Sequence, residues 1–318
     1  MLRTAESVSP KHPDKICDQI SDAILDAALT QDLAARTAIE VVGGHGLLTI
    51  TGEISTSAQL DYEAIARKYI DGDMEIRLQI TEQSPEIASG VDRGGAGDQG
   101  IMIGYATDET EDLIPLEAEL ARSLNRYIFA EFPYDGKTQI TLKGRQIITI
   151  VASFQHATAN QLQKLIKEWC KMHSLSPPPV VHANPAGNWA IGGFESDAGL
   201  TGRKLAVDNY GPRIRIGGGC FSGKDPSKVD RSAAYMARRI AIDYLRARKA
   251  KEVYCELAYA IGVAEPIQAS VFIDGRETQV KDYDLTPGGI SNHLNLKHPQ
   301  YTQTAQWGHF GNNFQWDK

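Results

Sequence analysis

Gly217-Gly218-Gly219-Cys220-Phe221-Ser222-Gly223-Lys224-Asp225 runs directly into Pro226-Ser227-Lys228-Val229-Asp230, and the fold turns on how this stretch is read. Three successive glycines let a backbone approach a ligand closely. Asp225 before Pro226 reads as a helix start, an N-cap followed by proline at the first helical position. The unpaired N–H groups of that helix end, with Lys224 and Lys228 beside them, suit a polyphosphate. The spacing nearly matches a P-loop: Gly218, four residues, then Gly223-Lys224. Asp225, however, stands where a P-loop needs a hydroxyl on Mg²⁺, and the lead-in Tyr210–Ile216 is at best a short strand. The stretch is therefore a polyphosphate cradle of another kind.

The charge distribution supports a small anionic ligand. The 318 residues carry a net charge of −7, yet Leu200 to Lys251 holds 13 Lys and Arg against 4 Asp and Glu. A basic island in an acidic chain favours a compact anion over a nucleic acid, whose backbone would be repelled elsewhere. Within the island, Arg238, Arg239, Arg246, Arg248, Lys249 and Lys251 read as a solvated helix face, whereas Arg203, Lys204, Lys224 and Lys228 sit among glycines. With 42% hydrophobic and 23% charged residues the composition is that of a globular protein. No apolar run is long enough for a bilayer, and the N-terminus lacks the apolar core of a signal peptide. Four scattered cysteines, Cys17, Cys170, Cys220 and Cys255, with no Cys-x-x-Cys, argue against a disulfide framework or zinc site and fit a reducing cytoplasm.

Along the chain, three blocks each combine helices with an apolar hairpin. In the first, Pro13–Leu29 is predicted helical with Ile16, Ile20 and Ile24 on one stripe, and Thr37–Val42 and Leu47–Ile54 as strands. In the second, Ile101–Tyr105 is a strand, Leu116–Ile128 and Asn160–Met172 are helices, and Thr138–Leu142 pairs with Gln146–Phe154. In the third, Ser227–Leu245 is a helix, followed by strands Val253–Ile261 and Ile267–Ile273. The expected class is α+β: three similar domains, over residues 1–88, 95–193 and 195–318, with a hint of pseudo-threefold repetition.

Two further motifs carry chemistry. His12-Pro13-Asp14-Lys15 places Asp14 at a positive helix end, where alone it reads as a cap. Asp18, Asp22 and Asp26 follow at four-residue steps opposite the isoleucine stripe and read as a wet acidic face. Gly95-Ala96-Gly97-Asp98-Gln99-Gly100 suggests a loop that exposes Asp98 and Gln99, and Gly199-Leu200-Thr201-Gly202-Arg203-Lys204 offers adjacent basic residues to phosphate oxygens.

Together these segments resemble the S-adenosylmethionine synthetase family. The match runs through Glu6–Ser9, His12–Lys15, Gly52–Ile54, Gln83–Pro85, Gly90–Arg93, the loop ending at Gly100, Asn184-Pro185, Gly199–Lys204, Gly217–Tyr235, Tyr259–Pro266 and Gly308–Gly311, in family order from end to end. The resemblance implies three α+β domains about a pseudo-threefold axis. It implies that ATP and L-methionine give S-adenosylmethionine and that the tripolyphosphate is then hydrolysed to pyrophosphate and phosphate. It also implies two Mg²⁺, a K⁺, and a homodimer, or a tetramer built from it, with active sites at the subunit interface, and neither a nucleic acid nor a membrane as partner.

Carried over position by position, His12 resembles the residue near the breaking carbon–oxygen bond, acting by hydrogen bond and charge. Lys137, Arg203, Lys204, Lys224 and Lys228 resemble phosphate contacts. Asp14 and Asp230 resemble the Mg²⁺ carboxylates, and Glu40 the K⁺ glutamate. Glu53, Gln83 and Asp197 resemble methionine contacts, Asp98 a methionine or adenosine contact, and Asp135 a further substrate contact. Trp189 stands where the family usually has an aromatic, often Phe, that stacks on adenine. The chain departs from the pattern by trimming. It is several dozen residues short of typical members, Arg93 runs straight into Gly94-Gly95 where the family carries a longer loop over the site, Cys220 replaces a usual Ala and Ile216 a usual His. The catalytic set is kept, so activity is expected.

Overall fold

The computed structural model of the chain describes residues 1–82 and 94–318. Strand β1 (Leu2–Val8) leads into helix α1 (Pro13–Gln31), which starts at the His12 N-cap with proline in its first turn and stops where Asp32 leaves helical geometry. Strands β2 (Arg36–Gly44) and β3 (Leu47–Ser55) join through His45-Gly46, both at positive φ, the two-residue turn whose twist matches a hairpin. Helix α2 (Tyr62–Arg67) and strand β4 (Glu75–Thr81) complete the first block. The second holds β5 (Gly100–Thr107), α3 (Leu116–Glu131), β6 (Gly136–Lys143), β7 (Gln146–Phe154), α4 (Ala159–Met172) and β8 (Val180–Ala183). The start of α4 is a reciprocal Thr158–Gln161 capping box. The third holds β9 (Gly199–Leu200), α5 (Leu205–Asp208), α6 (Val229–Arg248), β10 (Glu252–Tyr259), β11 (Gln268–Ile273), β12 (Arg276–Gln279), α7 (Pro287–His293) and α8 (Tyr301–Trp307).

These strands form three four-stranded sheets, ordered β4-β3-β2-β9, β1-β6-β7-β8 and β12-β11-β10-β5, each with a long helix packed on it. The hairpins and helices lie where the sequence predicts them. The blocks, however, are not self-contained. The leading strand of each is given to the next sheet round: β1 pairs with β6, β5 with β10, and β9 with β2. The exchange is cyclic and locks the three sheets together. One apolar core runs through the first and third sheets, from Ile20 and Ile50 to Ala237 and Leu257; a second, around Leu124, Ile150 and Trp169, fills the central sheet and its helices. Among the described residues no helix is long and apolar enough to cross a membrane.

The acidic face expected of α1 is buried, whereas the basic face expected over 238–251 is exposed at Arg246, Arg248, Lys249 and Lys251 but not at Arg238. Asp18 and Asp22 are fully covered and Asp26 is partly so, because α1 is packed on both sides: its isoleucines meet the sheet and its aspartates meet loops from the third block. Arg238 is likewise wholly buried. Its guanidinium donates to the carbonyls of Tyr105, Leu113 and Asp112 and pairs with Asp317, so each of its three nitrogens finds an acceptor.

Strand β5 meets α6 at Gly104, where an added Cβ would lie 2.0 Å from the carbonyl of Ala237. Gly104→Ala must therefore push the helix off the sheet, and its denaturant midpoint should report a loss of about 3 kcal/mol, the upper end for overpacking. Gly288→Ala, in the first turn of α7 with no atom within 4 Å of the new Cβ, should instead gain roughly 0.4–1 kcal/mol by restricting the unfolded chain.

Candidate active site

The N-terminus of α1 assembles the first part of the site. His12 is buried at the N-cap, and its Nδ1 accepts from the Asp14 N–H at 3.1 Å. That bond leaves the proton of the neutral ring on Nε2, free to donate. Burial, with the nearby charges of Lys204 and Lys137, drives His12 down to about 3. Around neutrality the ring is therefore uncharged in the free chain, with its Nε2–H available as a donor. Asp14 Oδ1 accepts from the Leu200 N–H at 2.9 Å and its Oδ2 sits 2.5 Å from Lys204 Nζ, while the half-exposed Arg203 lies 3.5 Å away. Burial alone would raise Asp14; the Lys204 ammonium and the Leu200 N–H outweigh it and hold the carboxyl below its usual range. Lys137, exposed on β6 opposite Val8, faces the same end of α1 closely enough to act on His12.

The glycine-lysine stretch forms a second cluster against the same helix and strand. Gly223 donates to Asp22 at 2.8 Å, and a Cβ there would meet the Ile39 carbonyl at 1.9 Å. Lys224 bridges to Ala38 of β2, and its Nζ lies 2.6 Å from Asp230. Asp230 also accepts from Gly219, where a Cβ would fall 2.7 Å from the carboxylate. Asp225 is not the helix N-cap. Its carboxylate takes the Thr37 and Ser227 N–H groups and the Lys228 ammonium, which ties the loop to β2, and α6 starts at Val229 with Lys228 as cap residue. Lys228 is accordingly buried and turned inward.

Asp135 and Trp189 both border the loop before β9. Asp135 accepts from the Gly193 N–H at 3.1 Å, and burial raises it. The Trp189 ring lies over Gly192, where a Cβ would come within 2.9 Å, and Gln155 ties Asp135 to Ala190 by donating to the Ala190 carbonyl and accepting from the Asp135 N–H. A cavity of about 540 Å³ opens beside Asp135 and Gln155, lined also by Tyr134, Gly193 and Phe194. Glu40 and Glu53 lie exposed on the open face of β2 and β3, with Ala38 between Glu53 and Lys224. Among the described residues, Asp98 and Asp197 each accept from the next residue's N–H, at Gln99 and Ala198. Gln83, with Ser84-Pro85 and Gly90–Arg93, lies outside the described residues.

Several groups that hold the site were given no such role from the sequence. Asp18 accepts from the Gly202 N–H, Lys15 is wholly buried between Asp18 and Asp208, and Arg231 grips Asp22 through both nitrogens. Burial pushes Asp18 up to about 7 against the pull of Lys15. Apart from the Lys15–Asp18 pair, their partners are some two hundred residues distant in the chain, so local pattern carries no sign of them.

Comparison with known proteins finds relatives over nearly the whole chain. The family descriptions S-adenosylmethionine synthetase N-terminal, central and C-terminal domain match residues 1–85, 93–189 and 191–318. Similar proteins include the S-adenosylmethionine synthase of Staphylococcus epidermidis, 43% identical over 370 aligned positions that cover 98% of this chain and 92% of the relative. That of Clostridium tetani is 42% identical over 367 positions, covering 98% and 94%. Both alignments are longer than the chain itself, so these relatives carry several dozen residues with no counterpart here.

The lowered His12 makes stability pH-dependent. Between about 6.5, where a free imidazole protonates, and about 3, the unfolded chain binds a proton the folded chain refuses, so stability falls as pH drops through that window. His12→Asn keeps an acceptor for the Asp14 N–H and removes the titration. Relative to this variant, urea unfolding of the native chain should lose about 1.4 kcal/mol per unit between pH 6 and 4. A difference independent of pH would show that the ring is charged when folded.

Proposed function

The chain belongs to the S-adenosylmethionine synthetase family, and from that membership we propose that it joins ATP and L-methionine as a methionine adenosyltransferase through the residues gathered at α1. The observation that carries the assignment of roles is Lys204 set 2.5 Å from Asp14, which puts a phosphate-facing cation and a carboxylate beside His12 from the opposite half of the chain.

The methionine sulfur attacks the 5′ carbon of ATP and tripolyphosphate leaves. A thioether has no proton to lose, so no general base is required; alignment and neutralisation of the leaving group are the tasks. His12 Nε2–H donates to the oxygen that departs from the 5′ carbon. Lys137, Arg203, Lys204, Lys224 and Lys228 take the phosphates. Trp189 stacks on adenine, with Asp135 as its neighbour on the substrate. Glu53, Gln83, Asp98 and Asp197 hold methionine or adenosine.

Asp14 and Asp230 would hold two Mg²⁺ and Glu40 a K⁺. Among the described residues no group of three acidic, histidine or cysteine ligands gathers. Single carboxylates suit an ion that keeps water and takes substrate oxygens, as Mg²⁺ does on a polyphosphate. When bound, such an ion adds positive charge against the leaving chain. In the free chain Lys204 and Lys224 occupy these carboxylates, so substrate binding exchanges their partners.

We place a second copy of the chain over the open face of the site. Ile101 and Ile267, 54% and 71% exposed, border an apolar cavity of about 940 Å³ that reaches Gly217 and Gly218, and Val42 is exposed beside Glu40. Large exposed apolar residues at the rim of a polar site favour a homodimer with interface active sites. The free cysteines suit a reducing cytoplasm.

Incubation with ATP, methionine, Mg²⁺ and K⁺ should yield S-adenosylmethionine, pyrophosphate and phosphate. ATP binding without sulfonium product at high protein concentration would overturn the reading. Lys224→Ala should lower kcat by roughly 10²–10³, as for loss of one preorganised charge-stabilising group; an unchanged rate removes Lys224 from the site.

A further inference from the structure

Lys15 follows Asp14 in the first turn of α1, is wholly buried, and has no part in the chemistry above. Its ammonium donates to Asp208 and lies 3.7 Å from Asp18. Both acids grip the same short segment. Asp18 accepts the N–H of Gly202, the residue before Arg203, at 2.8 Å. Asp208 closes α5, and its own N–H donates to the carbonyl of Lys204 at 2.9 Å.

We propose that Lys15 is a positioning residue for the phosphate-facing pair Arg203–Lys204, clamping residues 202–208 against α1 from both ends. The proposal rests on the reading of Arg203 and Lys204 as leaving-group contacts. Arg203 and Lys204 sit between the two clamped points. Lys204 then reaches back to Asp14 on the same helix, so the pair is referenced to the turn that carries His12. A plain fastening of loop to helix would need only the Asp18–Gly202 hydrogen bond. A buried ammonium joining two buried carboxylates is a costly alternative to an apolar contact. What it adds is direction, since neither end of the segment can slide along α1 without stranding a charge.

The segment is also held from its far side. The His309 N–H donates to the Asp208 carbonyl at 2.9 Å, and Gly308 approaches that carbonyl so closely that a Cβ would sit 2.5 Å from it. Asp208 is thus fixed by backbone contacts, and Lys15 transmits that fixed point to the catalytic turn.

The test compares Lys15→Met, Asp208→Asn and the double variant with Asp26→Asn. Asp26→Asn loosens α1 at its other end, where Asp26 accepts the Tyr301 and Thr302 N–H groups. Calorimetry with tripolyphosphate and Mg²⁺ reports the leaving-group site, and steady-state rates report kcat and the KM for methionine. Each of the first three should weaken tripolyphosphate binding at least tenfold and lower kcat, with the KM for methionine within twofold. The double variant should be no worse than either single one, because both changes break one clamp. Asp26→Asn should leave tripolyphosphate affinity within twofold at a similar loss of stability. Unchanged tripolyphosphate affinity in folded Asp208→Asn, or equal weakening by Asp26→Asn, overturns the proposal. Should Lys15→Met fail to fold, Asp208→Asn, which keeps shape and an acceptor, still decides it. A native chain that binds tripolyphosphate yet forms no S-adenosylmethionine defeats the functional reading and leaves the clamp intact.

Discussion

The carboxylates of α1 are the constraint on which the structure depends. Asp14, Asp18, Asp22 and Asp26 stand one turn apart and take N–H groups from Leu200, Gly202, Gly223 and Tyr301 in that order. Buried carboxylates are tolerated only when hydrogen-bonded or paired, so each must find its partner for the helix to pack. The partners all lie in the third block. Glycine recurs among them because the loops must come close: at Gly199 a Cβ would fall 2.3 Å from the Pro13 backbone. The helix thereby sets the relative position of two loops that share no local sequence.

That arrangement explains how a dense set of cations survives without a ligand. Lys204 rests on Asp14, Lys224 on Asp230 and Lys228 on Asp225, each as a close ion pair. The carboxylates suppress mutual repulsion among the lysines in the free chain.

The secondary structure was legible because apolar periodicity and turn chemistry are local. The Ile16, Ile20, Ile24 stripe and the Gly44-His45-Gly46 turn say what they form without reference to anything distant. The aspartate row was not legible, since acids at four-residue spacing look the same whether they face water or a loop two hundred residues away. Arg238 misled for the same reason: its carbonyl acceptors on Tyr105, Asp112 and Leu113 come from another block. Asp225 has the sequence of a helix cap but is held by Thr37 instead. The glycine and lysine positions were readable through family resemblance, while Lys15, quoted within a motif, gave no hint that its charge is buried.

The cyclic sharing of strands has a consequence for biosynthesis. Leu2 lies opposite Lys143, and Val42 opposite Leu200, so neither the first strand nor the first hairpin has its full complement of neighbours while only the first block has been made. At translation rates of about 5–20 residues per second, Leu2 emerges roughly 7–28 s before its partner. During that interval the nascent chain offers an unsatisfied strand edge and a helix full of unmatched acids. Such a chain invites shielding by ribosome-associated chaperones, and its maturation waits on the arrival of the last block.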